Sequence, residues 1–180
     1  GKAVGIVGFG DVGRRFGSLL GGFDVDVQIT DPYVADIDAE LVGGSMTSLS
    51  ELLETSDVVV LNTELTPETR GLIGEAELAR MRQSAILVNT ARGPVVDEDA
   101  LVDALEAGAI AGAGLDVFET EPLPRDAPFH EFDNVIATPH VAATTTESRT
   151  LSIDALVNSV FGMLDGDGAP ERYTAVAFES

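Results

Sequence analysis

Gly5-Ile6-Val7-Gly8-Phe9-Gly10-Asp11-Val12-Gly13 is the stretch on which the reading of this chain turns. The apolar run Ala3 to Val7 reads as a buried strand. It breaks on Gly8 and Gly10, and apolar positions at helical spacing follow: Val12, Phe16, Leu19 and Leu20. Strand, glycine turn and helix, in that order, are the setting in which G-x-G-x-x-G signals dinucleotide binding. Gly8 permits the tight turn, Gly10 lets the backbone approach a pyrophosphate, and Gly13 lets the helix pack closely on the strand. The N–H groups and positive dipole end of the helix then face the phosphates. Gly8, Phe9, Gly10, Asp11, Val12 and Gly13 are therefore the first cofactor-binding candidates. A glycine turn in an ordinary α/β protein would explain the loop alone. Asp31 adds the second feature, eighteen residues beyond Gly13 at the end of the apolar series Val25, Val27, Ile29. That is where an acid bonds a ribose 2′-hydroxyl. Asp31 would repel a 2′-phosphate, and no Lys or Arg lies between Phe16 and Thr69 to hold one. The expected cofactor is NAD rather than NADP.

The composition limits the remaining choices. A chain of 180 residues with 44% hydrophobic content suits one globular domain with a substantial core. No apolar run is long enough to span a bilayer, and no N-terminal segment reads as a signal peptide. Cysteine is absent, which excludes disulfides and thiolate chemistry and suits a reducing cytoplasm. The net charge is −21, from 31 acids against 10 bases, with Lys2 the one lysine. Such a surface is expected to repel nucleic acid and anionic membranes. The acids are scattered along the chain, which points to a solvated surface adapted to a halophilic cytoplasm.

Further along, strand and helix patterns alternate, predicting a Rossmann-type doubly wound parallel sheet in three layers. Strands are expected at Ala3–Val7, Val25–Thr30, Ser45–Met46, Asp57–Leu61, Ala85–Val88, Ala109–Val117 and Val135–Ala137. Helices are expected from Val12 to Leu20, from a cap at Ser48 or Ser50 through Leu53, from Thr66-Pro67 onward, and from Val96 to Ala107. A long helix from Thr144 to Leu164 has Leu151, Ala155, Leu156, Val160 and Leu164 as its expected core stripe, and a tail follows from Gly166. Residues 1–142 are expected to form the NAD-binding domain, and 143–180 a C-terminal helix and tail.

Ligands of open α/β sheets bind beyond the carboxyl ends of the strands. Arg92, Glu121 and His140 all fall at or just after such ends. Singly they read as a surface charge, one more acid and a structural histidine; their shared location favours chemistry. Around them stand Leu65-Thr66-Pro67-Glu68-Thr69, Asn89-Thr90-Ala91-Arg92-Gly93-Pro94-Val95-Val96-Asp97, Gly114-Leu115-Asp116-Val117-Phe118-Glu119-Thr120-Glu121-Pro122 and Thr138-Pro139-His140-Val141-Ala142. With the glycine loop, these ordered motifs resemble the cofactor domain of the NAD-dependent D-isomer-specific 2-hydroxyacid dehydrogenases, phosphoglycerate dehydrogenase-like members included, over nearly the whole chain.

The resemblance implies a catalytic set of Arg92, Glu121 and His140. Arg92 would hold the substrate carboxylate in a bidentate fork. His140 would exchange the hydroxyl proton, and Glu121 would pair with His140 and favour its imidazolium. It further implies cofactor contacts from Thr63, Thr90, Ala91, Arg92, Asp116, His140, Ala142 and Ala143, no metal, a small 2-hydroxy or 2-keto acid substrate, and a homodimer built through the cofactor domain. Asn62 stands where the family often has histidine, and Glu64 where it usually has proline. The family's second domain, built mostly from residues ahead of the glycine-loop strand, is not in this sequence, so the chain is expected to be the cofactor domain of a longer enzyme. An NAD(H)-sensing dimeric scaffold is the alternative from a different class. A formate or phosphite enzyme is a third, against which Glu121 speaks, since formate enzymes resembling this family carry Gln there.

Overall fold

The computed structural model describes residues 1–165; the tail expected from Gly166 lies outside the described residues. Two compact units are present, Gly1–His140 and a second beginning at Val141. The first contains β1 (Lys2–Val7), β2 (Val25–Thr30), β3 (Ser45–Met46), β4 (Val58–Leu61), β5 (Ile86–Asn89), β6 (Gly112–Leu115) and β7 (Val135–Ala137). These form one parallel sheet in the order β3-β2-β1-β4-β5-β6-β7. Between the strands run α1 (Asp11–Leu20), α2 (Asp36–Glu40), α3 (Leu49–Thr55), α4 (Glu75–Leu78) and α5 (Glu98–Glu106). This is the doubly wound α/β sheet expected from the alternation.

The chain builds outward from β1 through β2 to β3, then returns to lay β4 against the other side of β1. The order reverses between β1 and β4, and a crevice opens there beyond the strand ends. Side-chain alternation along β1 divides the core. Ile6 joins Phe9, Val27 and Ile29 on the face carrying Phe16 and Leu20 of α1. Val7 joins Val59, Leu61 and Leu87 on the face carrying Leu52 and Leu53 of α3 and Leu101 of α5. Burying each such side chain contributes about 1.5–3 kcal/mol before the ordering cost is counted.

Local chemistry explains where elements begin and where expectation and structure part. Ser48, not Ser50, caps α3 by accepting from the Glu51 N–H at 3.2 Å. Asp97 caps α5 by accepting from Ala100 N at 3.1 Å, so that helix starts at Glu98 rather than Val96. The helical region expected from Thr66-Pro67 is a turn: Thr69 Oγ1 accepts from Thr66 N at 2.7 Å and donates to Glu64 O at 2.6 Å, diverting the backbone from a helix. The helix comes later, as α4. The strand expected over Ala109–Val117 shortens to β6, and five-residue α2 was too short for its periodicity to be read.

The second unit contains α6 (Thr146–Asp165), which has no buried residue. Leu151, Leu156, Val160 and Leu164 are exposed and do not form the expected core stripe. No described helix is long and apolar enough to cross a membrane.

Candidate functional site

The glycine loop closes the carboxyl end of β1. Gly8 has φ +90°, and a Cβ there would stand 2.7 Å from Thr63 N and 2.8 Å from the Asn62 carbonyl carbon. Only glycine combines that dihedral with that approach to the chain leaving β4. A Cβ on Gly13 would stand 2.4 Å from the Gly8 oxygen, so α1 packs on the loop as closely as backbone allows. Gly10 is different, because a Cβ there would meet nothing within 4 Å. It is the N-cap of α1 and makes no side-chain cap bond. The first N–H groups of α1, from Asp11 to Gly13, have no intrahelical acceptor. Asp11 and Val12 are exposed there, and Thr63 is half-buried beside Gly8.

Asp31, at the end of β2, is drawn into the loop. Its Oδ2 accepts from Phe9 N at 2.7 Å and its Oδ1 from Tyr33 N at 2.8 Å. One carboxylate thus ties the glycine loop to the turn that follows β2. Phe9 is fully buried, with the Arg14 guanidinium 5.5 Å from its ring centroid. Arg14 is paired with Asp38 of α2. That bond holds the Asp38 carboxyl below its ordinary range and raises the guanidinium above its own. The base nearest the glycine loop is therefore already engaged by an acid.

The second half of the site lies at the ends of β5, β6 and β7. Asn89 is buried at the end of β5; its Oδ1 accepts from Ala91 N at 3.0 Å and its Nδ2 donates to Arg92 O at 3.0 Å. These bonds form the corner that presents exposed Thr90 and Arg92. The Arg92 guanidinium donates to Ala91 O at 2.6 Å. Gly93 lies against the next corner, since a Cβ there would stand 2.0 Å from the Phe118 carbonyl carbon. Asp116, just after β6, is only 4% exposed and accepts from the Thr138 hydroxyl. The Asp116 carbonyl accepts from His140 N at 2.8 Å.

His140 has φ +53°, a dihedral uncommon outside glycine. Its Nδ1 donates to Glu121 Oε2 at 2.7 Å, and Glu121 Oε1 accepts from Phe118 N at 3.0 Å. The His140 contact, then the Phe118 N–H, hold the Glu121 carboxyl below its usual range. With Nδ1 so occupied, the imidazole has Nε2 left for another partner. A carboxylate bonded to one imidazole nitrogen, and itself backed by a backbone donor, is an arrangement suited to moving a proton at Nε2.

Two groups of expected residues are thus assembled: the glycine loop with Asp31 and Thr63, and Thr90, Ala91 and Arg92 beside Asp116, Glu121 and His140 across bonded strands. Ala142 and Ala143 fall in the second unit. His130 bonds Pro124 O at 3.0 Å in the segment after β6. Asn89, Thr138 and Glu98 were missed as contributors, although Asn89 and Thr138 stand inside the quoted motifs. Glu98 Oε1 accepts from Glu119 N, a contact between residues 21 positions apart that no local pattern signals. Among the described residues no cluster of His, Asp and Glu is arranged to hold a metal.

The profile of a family described as D-isomer specific 2-hydroxyacid dehydrogenase, NAD binding domain, matches residues 1–142. The chain is 43% identical over 171 residues to a glyoxylate reductase of Thermofilum pendens, covering 94% of this chain and 50% of that protein. It is 41% identical over 149 residues to a D-3-phosphoglycerate dehydrogenase of Archaeoglobus fulgidus, covering 83% of this chain and 28% of the other. A crystal structure of a D-isomer specific 2-hydroxyacid dehydrogenase from Lactobacillus delbrueckii ssp. bulgaricus, in NAD-complexed form, matches with TM-score 0.85 and 31% identity over 94% of this chain and 55% of that one. The chain therefore spans about half, or less, of the length of these relatives.

Proposed function

Because the chain belongs to the D-isomer-specific 2-hydroxyacid dehydrogenases as their NAD-binding domain, we propose that it holds NAD across the β1/β4 crevice and supplies Arg92, Glu121 and His140 to the interconversion of a D-2-hydroxy acid and its 2-keto acid. The observation that carries this reading is the Glu121–His140 contact of 2.7 Å, placed at the strand ends of the sheet that bears the glycine loop.

The residues fit the cofactor. The open surface at Gly10 leaves room for a pyrophosphate at the N-terminal end of α1, whose first amides have no intrahelical acceptor. Asp31 supplies a ribose acceptor and a charge hostile to a 2′-phosphate. Thr63, Thr90, Ala91 and Asp116 extend the proposed binding surface toward His140. NAD, when bound, supplies the acceptor or donor of hydride at the reacting carbon. His140 Nε2 takes the substrate hydroxyl proton in the oxidation direction and returns it to the keto oxygen in reduction. Glu121 keeps Nδ1 as the donor, which fixes the tautomer and stabilises the imidazolium formed. The Arg92 fork matches the substrate carboxylate and polarises the reacting oxygen. The substrates proposed are small 2-keto acids such as glyoxylate or hydroxypyruvate, or phosphoglycerate, in line with the relatives' names.

The proposal extends to a homodimer, supported by exposed Leu156, Phe161 and Leu164 on α6. It extends also to a cytoplasm rich in salt, supported by net −21 and the single lysine. Calorimetric titration of the chain with NADH and NADPH tests the central claim. NADH is expected to bind more tightly, and equal or tighter NADPH binding would overturn it. Light scattering across a dilution series reads the dimer.

A further inference from the structure

We propose that Glu98 is a positioning residue for the Glu121–His140 pair, acting by fastening the backbone between Phe118 and Glu121. The proposal rests on the reading of His140 as the proton carrier. The loop leaving β6 must bring Glu121 back to His140, and each of its attachments is visible. Gly93 lies under the Phe118–Glu119 peptide so closely that a Cβ would stand 2.4 Å from Glu119 N. That same N–H donates to Glu98 Oε1. One residue earlier, Phe118 N donates to Glu121 Oε1 at 3.0 Å, and Glu121 Oε2 receives His140 Nδ1. The series from α5 to the imidazole is thus Glu98, the Glu119 N–H, the backbone of Phe118 with its own N–H, Glu121 and His140, each joined to the next by a hydrogen bond or by the Phe118 backbone.

The placement of Glu98 is unfavourable for a carboxylate that merely decorates a helix. Burial pushes its carboxyl above the ordinary glutamate value, and Glu119, Asp99 and Glu121 push it the same way; the Glu119 N–H opposes them. The other charged neighbours of the system are Arg70, 4.0 Å from Glu119, and Asp116 near Glu121. The neighbouring Asp97 serves as the N-cap of α5 and Asp99 is exposed, so in this turn Glu98 is the acid that reaches across to the loop. An anion here is favoured by the N-terminal end of α5, which helps keep the acceptor charged.

The test follows His140 ring resonances by NMR as pH is varied, reading the titration that the Glu121–His140 pair shares. It is run on the whole chain with Glu98→Gln, Glu98→Asp, Glu98→Ala and, as charge control, Asp99→Asn. Glu98→Gln keeps an oxygen acceptor of the same reach and is expected to stay near the wild-type midpoint. Glu98→Asp keeps the charge but is a methylene shorter; it and Glu98→Ala are expected to move the midpoint toward lower pH by a large part of the shift seen in Glu121→Gln. Asp99→Asn is expected to follow wild type. Hydrogen exchange at Glu119 N is expected to quicken in the Asp variant and not in the Gln variant, a readout that remains if Glu98→Ala does not fold. The proposal is overturned if Glu98→Asp matches wild type in both measurements, or if Glu98→Gln moves as far as Glu98→Asp. Neither NAD nor turnover enters these readouts, so failure here and failure of the NADH titration are distinguishable.

Discussion

Gly8 and Gly10 stand two residues apart in one loop, and the structure gives them opposite duties. At Gly8 an alanine meets φ +90° and a Cβ 2.7–2.8 Å from backbone atoms of Asn62 and Thr63. A non-glycine residue held in such a dihedral costs roughly 1–3 kcal/mol. Overpacking against atoms that cannot rotate away costs roughly 1–3 kcal/mol more. Gly8→Ala is therefore expected to lose about 2–6 kcal/mol, a large part of the 5–15 kcal/mol typical of a domain. For a chain of this size that lowers the thermal midpoint by roughly 2–4 °C per kcal/mol. At Gly10 an added Cβ meets nothing within 4 Å, and the backbone, φ −72° and ψ −159°, is open to alanine. Its folded-state cost is the poorer N-cap alone, on the order of 1 kcal/mol. The methyl group would instead occupy the surface proposed for a pyrophosphate. If overpacking there costs a similar 1–3 kcal/mol, NADH affinity falls by roughly 5- to 150-fold. The assay is paired: urea unfolding for stability and calorimetry for NADH, on both variants. Gly10→Ala binding NADH like wild type would refute the placement of the cofactor. Gly8→Ala as stable as wild type would refute the close approach of β1 to β4.

Four further outcomes are expected. Glu121→Gln is expected to shift the pH-dependent step of the pair to lower pH, because the imidazolium loses its charged partner; an unchanged NMR titration counts against the pairing. The Glu121 carboxyl lies below the ordinary 4.5 in the folded chain, so its share of stability is present above that value and is lost as pH falls through the lowered one; acid unfolding of Glu121→Gln should lack that share. With net −21, the thermal midpoint is expected to rise from low salt to molar KCl as self-repulsion is screened, and a flat midpoint would reject the halophile reading. Thr138→Val removes the hydroxyl that donates to buried Asp116 and is expected to cost about 1–3 kcal/mol in urea unfolding; no loss would mean that bond is not needed to satisfy the carboxylate.

The alternation of strands and helices, the glycine loop and Asp31 were legible in the sequence because each is a local signal. Buried parallel strands are short apolar runs, helices repeat apolar positions every three or four residues, and glycine marks the backbone positions a side chain would block. The place of Arg92, Glu121 and His140 after strand ends was legible from the alternation of elements around them. What the sequence could not determine were the contacts between segments far apart along the chain. Asp31 was read as a ribose acceptor, but only the fold shows it fastening Phe9 N across 22 positions. Only the fold pairs Arg14 with Asp38, because α2, which carries that acid, is too short to be read. Thr66-Pro67 carried a helix-start signal that the Thr69 hydroxyl overrode. The apolar residues of α6 had the spacing of a core stripe, yet spacing records that a helix can form, not what covers it, and they are exposed. Glu98 looked like one more acid in a helix that begins with three, because its partner is a backbone N–H at Glu119. Local periodicity determines which elements form; the register of the sheet and the closing of loops over its edge decide which side chains meet, and those depend on the whole chain packing at once.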